Sequence, residues 1–199
     1  TARPRTSFTT PRIQQGARMA RTTARGNGRT IPASRVRDVA RHFPTKNDLP
    51  EKTRDEVIIL LNQRLADCID LQTQCKQAHW NVKGPTFIAL HELFDSVAAD
   101  VTNYVDLIAE RIVQLGGIAE GTIGVVEARS SLVDYPIGIV TGAEHVAALS
   151  DALSEFGRLA RMGIEEMNSL EDAGTADILT EISRGIDKWL WFVEAHQQA

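Results

Sequence analysis

The sequence predicts an all-α protein: a four-helix bundle with a short helix in the long crossover between its second and third long helices, preceded by a basic N-terminal extension. Three observations lead there. Apolar residues recur three or four positions apart through four long segments, the period that gathers them on one face of a helix. No segment alternates apolar and polar residues as a half-buried strand does. Charge is unevenly divided: residues 1–46 hold ten arginines and Lys46 against Asp38 alone, a net +10, whereas the remainder carries −14.

The 199 residues suit one domain with a tail, and the division is expected at 1–46 for the basic segment and 47–199 for the bundle. Thr1 to Phe43 is rich in Arg, Thr, Gly and Pro and too poor in large apolar residues to build a core, although one short helix around Ala33–His42 is compatible with it. No apolar run approaches the roughly 18–20 residues that cross a bilayer, and the first thirty residues lack a secretory h-region. The expectation is a cytoplasmic protein without a membrane partner.

Asp48 and Glu51 have the spacing of a capping box, and Pro50 suits a first helical turn, so the first long helix is expected over Glu51–Val82, broken by Lys83-Gly84-Pro85-Thr86. Cys68 and Cys75 fall about 10 Å apart along it, too far for a disulfide, and read as small buried fillers. The second helix carries Phe87, Leu90, Phe94, Val97, Val101, Val105, Ile108, Ile112 and Leu115, and Gly116-Gly117 ends it. Residues 118–140, with Gly121, Gly124 and Pro136, form a crossover too long for an antiparallel hairpin. Thr141 and Glu144 make a second capping box, opening a third helix that runs to about Leu170. Gly174-Thr175 is expected to separate it from a fourth helix with Ile178, Ile182, Ile186, Trp189 and Val193. Trp189 and Trp191 cannot both face one core, so at least one is expected at a contact between subunits.

Four polar residues of the second helix stand outside its apolar stripe. With His91 at 0°, Asp95 falls at roughly 40°, Asp106 at roughly 60° and Glu110 at roughly 100°, all on one flank. Asp95 and Asp106 are still about 16 Å apart along the axis, farther than one ion can span. Both pairs, His91 with Glu110 and Asp95 with Asp106, are symmetric about a point near position 100. An antiparallel copy of the same helix, related by a two-fold there, would therefore build two identical mixed sites. His79 precedes Pro85 by as many residues as His91 follows it, so a tight turn brings both imidazoles to one level. Two imidazoles and three carboxylates suit iron, manganese or zinc rather than a soft metal. Taken singly, each of these residues is more simply a solvated acid or a locally bonded histidine; it is the matching spacing that favours a shared site.

The residues Lys76-Gln77-Ala78-His79-Trp80-Asn81-Val82-Lys83-Gly84, then Phe87, His91-Glu92 and Asp95, then Asp106, Glu110-Arg111 and Leu115-Gly116-Gly117, resemble the signature of the Dps family, the DNA-binding proteins from starved cells. The likeness continues through Tyr135-Pro136, Thr175–Leu179 and Asp187–Phe192, covering roughly residues 50–197. This resemblance implies a ferritin-like bundle, a hollow dodecamer of two-fold dimers, and ferroxidase centres at the two-fold interfaces. It gives His79, His91, Asp95, Asp106 and Glu110 as ligands for two Fe(II) per centre, with zinc or manganese as substitutes. The implied reaction is oxidation of Fe(II) by hydrogen peroxide or dioxygen, with ferric mineral stored inside. The Glu-x-x-His tetrapeptide of ordinary ferritins does not occur in the sequence.

Other roles rest on the same resemblance. Trp80, beside His79, reads either as a radical quencher or as packing. Glu92 matches a position associated with mineral nucleation, or is a plain surface acid. Glu171, Asp172 and Asp177 surround the turn where family members line pores that admit iron, while Asp177 also suits the start of a helix. Arg3, Arg5, Arg12, Arg18, Arg21, Arg25 and Arg29 of the tail would bind DNA without sequence preference, placing the protein on the nucleoid. Competing with this reading, the tail could be a strap packed on the shell, through Ile31, Val36, Val39 and Phe43, or, less readily, a targeting segment. A non-enzymatic DNA-compacting shell with incidental metal binding is the rival to the ferroxidase reading.

Overall fold

A computed structural model describes residues 43–198. The tail arginines and the short helix expected near Ala33–His42 lie outside the described residues. Five helices follow one another: α1 (Glu51–Asn81), α2 (Phe87–Gln114), α3 (Ile123–Arg129), α4 (Gly142–Ser169) and α5 (Ala173–Glu194). The described residues contain no strand, only one isolated bridge between Lys83 and Thr141.

α1 pairs with α2 and α4 with α5, while α1 also packs on α4 and α2 on α5. α2 and α4 therefore stand diagonally, which is why residues 115–141 must cross the bundle, and α3 packs against α1 on the way. The predicted stripe residues Phe94, Ile108, Ile112, Leu149, Leu153 and Phe156 are all essentially inaccessible, and Leu61, Leu65 and Leu71 of α1 join them in the core. Each such side chain contributes about 1.5–3 kcal/mol on burial. Cys68 and Cys75 are free thiols buried among them, and burial pushes the Cys75 thiol up to about 12.

Two starts differ from expectation. Asp48 does not cap α1; it is exposed, and the N-cap is Pro50 with no side-chain hydrogen bond. Asn47 instead accepts from the Leu49 amide at 3.0 Å, and Pro50 with ψ of 142° holds the chain extended one residue longer. Glu51 thus becomes the first helical residue rather than the third that a capping box needs. Likewise, Gly174-Thr175 is not a separator but part of the first turn of α5. The turn is Leu170–Asp172, where Glu171 adopts φ of 59° and Asp172 is the N-cap. The Thr141–Glu144 box of α4 forms fully.

The crossover is tied to α1 by polar groups that recur along one side of that helix. Asn62 donates to the Ile118 carbonyl and accepts from the Glu120 amide. Gln63 donates to the Arg129 carbonyl at 2.6 Å, Asp67 accepts from the Ser131 amide and hydroxyl, and Gln74 donates to the Val133 carbonyl. Irregular backbone laid over a bundle needs such partners, because its own amides and carbonyls have no helix to satisfy them.

Candidate metal centre

The turn Val82–Thr86 folds α1 back on α2, and Gly84 with φ of 114° supplies its left-handed step. The consequence is the arrangement the mirrored spacing predicts: the His79 and His91 rings stack with centroids 3.8 Å apart and planes 22° from parallel. Each Nδ1 lies 2.8 Å from the other residue's backbone carbonyl. A carbonyl only accepts, so each Nδ1 must carry the proton, and each Nε2 keeps its lone pair. This reciprocal lock fixes ring orientation and tautomer together, as outer partners of metal-binding histidines do. Phe87, one turn before His91, leans on that imidazole with centroids 5.1 Å apart.

Asp95 lies one turn beyond His91, with an oxygen 3.9 Å from His79 Nδ1. Its nearest partner is Lys76, whose ammonium donates to it at 2.6 Å. That hydrogen bond, with the lysine charge and the two histidines adding to it, holds the Asp95 carboxyl below the usual range. The sequence reading did not assign Lys76 a role. Its signal was its place one turn before His79 and four residues before Trp80, over whose ring its ammonium sits at 5.8 Å.

Asp106 and Glu110 are not brought to these groups. They are exposed near the far end of α2, fifteen residues of helix beyond His91 in the case of Asp106 and therefore about 22 Å along its axis. Neither makes a hydrogen bond or ion pair with another described residue. Accordingly, among the described residues no three His, Cys, Asp or Glu side chains gather as a metal cluster within one protomer. His79, His91 and Asp95 lie together at one end of α2, and Asp106 and Glu110 lie apart from them toward the other.

A family model for the ferritin-like domain matches residues 58–199. The DNA protection during starvation protein of Agrobacterium fabrum is 47% identical over 154 residues, spanning 77% of this chain and 95% of the relative. The chain belongs to the Dps family of ferritin-like proteins. Among solved structures, DpsA14 from Streptomyces coelicolor superimposes with a TM-score of 0.75 at 34% identity, covering 79% of this chain and 93% of that one. Dps from Microbacterium arborescens in its high iron form gives 0.71 at 30% identity, covering 79% of this chain and 100% of that one. At family level the functions are iron storage and DNA protection, iron is bound, and Dps relatives are dodecameric. No described helix is long and apolar enough to cross a membrane.

The remaining candidates of this Dps chain separate by burial. Trp80 is 67% exposed beside His79, and Glu92 is exposed. Glu171 and Asp177 are exposed at the α4–α5 turn, whereas Asp172 is 2% exposed. The Asp172 carboxylate accepts from the Thr175 amide at 3.0 Å and pairs with Arg111 at 2.8 Å, while Arg111 also donates to the Thr175 hydroxyl at 2.8 Å. Gly174 leaves room for this guanidinium, since a Cβ there would stand 3.3 Å from it. Asp172 is therefore a capping and docking group that ties α2 to α5, and Asp177 does not cap α5. Trp189 is buried and donates to Asp100 at 2.8 Å, whereas Trp191 is 62% exposed.

Proposed function

We propose that this chain is an iron-oxidising mini-ferritin subunit whose ferroxidase centre is completed across a two-fold dimer. Each centre takes His79, His91 and Asp95 from one protomer and Asp106 and Glu110 from its neighbour. The observation that carries the reading is the split set of side chains: two imidazoles locked through Nδ1 beside the start of α2, and two carboxylates without a partner among the described residues at the mirrored positions of its other end. The two most exposed large apolar residues of α2 obey the same symmetry. Ile88 and Val113, 60% and 59% exposed, share the ligand flank, and antiparallel pairing sets Ile88 against Val113 of the partner subunit.

At such a site the imidazoles and carboxylates bind Fe(II) as substrate, and the carboxylates stabilise the higher charge of the ferric product. Two Fe(II) each give one electron to one peroxide, whose oxygens end as oxide and hydroxide in the mineral, with protons released to water. Dioxygen is the alternative oxidant, and zinc or manganese would occupy the same donors. Lys76 serves as the cation on Asp95 that an incoming metal displaces. The ferric product is stored inside a dodecameric shell, with exposed Glu92 as a nucleation candidate and Glu171 and Asp177 as candidates for drawing Fe(II) inward. Removal of iron and peroxide together protects DNA, and contact with DNA, if made, falls to the arginines of residues 1–46 rather than to the acidic body.

The test is rapid Fe(II) oxidation by peroxide in His79→Ala and Asp106→Ala, with native mass as a control for assembly. Both variants are expected to assemble and to oxidise iron at least about 100-fold more slowly. Wild-type rates in both would remove the ferroxidase reading and leave the DNA-compacting shell. That rival is tested by a gel shift with and without residues 1–46: retardation that persists at moderate salt after their removal would place the contact elsewhere.

A further inference from the structure

Outside the metal centre, one pair of side chains has the geometry of a redox device. Tyr135, in the crossover, and His145, in the first turns of α4, approach with Oη and Nδ1 2.6 Å apart and rings 18° from parallel. His145 is 1% exposed, and its Nε2 is buried without a hydrogen-bond partner. The phenol has no other hydrogen bond among the described residues, and in the His145 tautomer that carries its proton on Nε2 it donates to Nδ1. Tyr135 also lines a cavity of about 850 Å³ together with Trp80, Lys76 and Gln77 of α1. Trp80 is the immediate neighbour of His79.

We propose that Tyr135 and His145 form a proton-coupled electron-transfer site, in which Tyr135 reduces a one-electron oxidant formed at the iron site and passes its phenolic proton to His145. This rests on the ferroxidase reading for the source of the oxidant. A centre holding a single Fe(II) supplies one electron to peroxide, giving Fe(III), hydroxide and a hydroxyl-radical equivalent. Tyr135 gives the second electron, and that equivalent takes up a solvent proton to become water. The O–H bond of Tyr135 breaks, its proton forms the Nδ1–H bond of an imidazolium on His145, and a neutral tyrosyl radical remains. A later Fe(II) returns the electron, and the proton moves back.

The surroundings favour this route over simple deprotonation. Burial, with the Cys75 thiol adding to it, pushes the Tyr135 phenol well above its ordinary value, so the proton leaves only together with the electron. Burial also lowers the His145 pKa, against the opposing pull of the Asn81 carbonyl and Glu144, which keeps the imidazole neutral and able to accept. A short bond to a neutral base lets the proton move without solvent. Trp80, which lines the cavity, follows His79 in sequence and carries the Lys76 ammonium over its ring, is the step through which the oxidising equivalent passes.

The chain has only two tyrosines, Tyr104 and Tyr135, so a radical can be assigned cleanly. The assembled protein is mixed with one Fe(II) per centre and excess hydrogen peroxide, freeze-quenched and read by electron paramagnetic resonance. In parallel it is oxidised without iron, by flash-quench with a ruthenium tris-bipyridyl complex and persulfate. A tyrosyl signal is expected in both arms, unchanged in Tyr104→Phe, absent in Tyr135→Phe, and forming about 100-fold more slowly in His145→Gln, the low end of what a positioned base supplies. A signal that survives Tyr135→Phe, or forms at the wild-type rate in His145→Gln, overturns the proposal. A His145-dependent radical under flash-quench, with neither Fe(III) nor radical in the iron arm, would support the redox pair and overturn the ferroxidase reading instead.

Discussion

Asp172→Ala distinguishes an acid that builds the fold from one that lines a pore. The side chain is 2% exposed and holds the amide and hydroxyl of Thr175 together with the guanidinium of Arg111. Loss of an N-cap costs about 0.5–2 kcal/mol. Loss of one member of a buried ion pair costs about 3–5 kcal/mol, because the other charge stays behind uncompensated. Arg111 retains the Thr175 hydroxyl and a side chain 13% exposed to water, so the lower end applies, and we expect about 3 kcal/mol in all. For a chain of this size, that is a fall in Tm of about 6–12 °C. Asp172→Asn keeps an acceptor for the cap but not the charge opposite Arg111, so it should recover only the cap's share of the loss, about 0.5–2 kcal/mol. The assay is thermal unfolding by circular dichroism on assembled protein, beside the initial rate of iron uptake at a temperature where both variants are folded. A Tm within about 2 °C of wild type together with slowed uptake would refute the reasoning and return Asp172 to the pore.

Two further perturbations follow from contacts within the bundle. Lys76→Met removes the ammonium that occupies Asp95; since an exposed pair is worth about 0.2–1 kcal/mol, divalent metal should bind up to about 5-fold more tightly, and an anaerobic Co(II) titration showing equal or weaker binding would contradict the displacement step. Gly185→Ala places a methyl group against the Tyr104 hydroxyl and ring, so it should destabilise the bundle by about 1–3 kcal/mol, and adding Tyr104→Phe should recover part of that loss in the same denaturation assay.

The helices were legible because their stripes are long: Phe94, Ile108 and Ile112 on α2 and Leu149, Leu153 and Phe156 on α4 are buried where the three- and four-residue spacing put them. Diagonal placement of α2 and α4 could be read from crossover length alone. Helix starts were less legible. Capping spacing occurs at both Asp48–Glu51 and Thr141–Glu144, but only the second is realised, since Pro50 displaces the start of α1. Glycine was a poor guide at the α4–α5 turn, where Glu171 takes the left-handed conformation and Gly174 makes space for Arg111. At the candidate site, the stacking of His79 on His91 follows from their equal distances to Pro85. The reciprocal carbonyl bonds and the Lys76–Asp95 pair do not, because they depend on rotamers and on the approach of two helices. Tyr135 and His145 were invisible as a pair, since their bond depends on how the crossover lies against α4.

Subunit complementation tests the shared centre most directly. His79→Ala and Asp106→Ala, each inactive alone, are co-expressed in equal amounts so that they assemble at random. In a mixed dimer one centre collects both lesions and the other collects none. About half the dimers are mixed and half of their centres are intact, so the mixture should oxidise Fe(II) at about a quarter of the wild-type rate. A mixture as inactive as its parents would mean that each protomer supplies all of its own ligands, and the two-fold account of the iron site would be wrong.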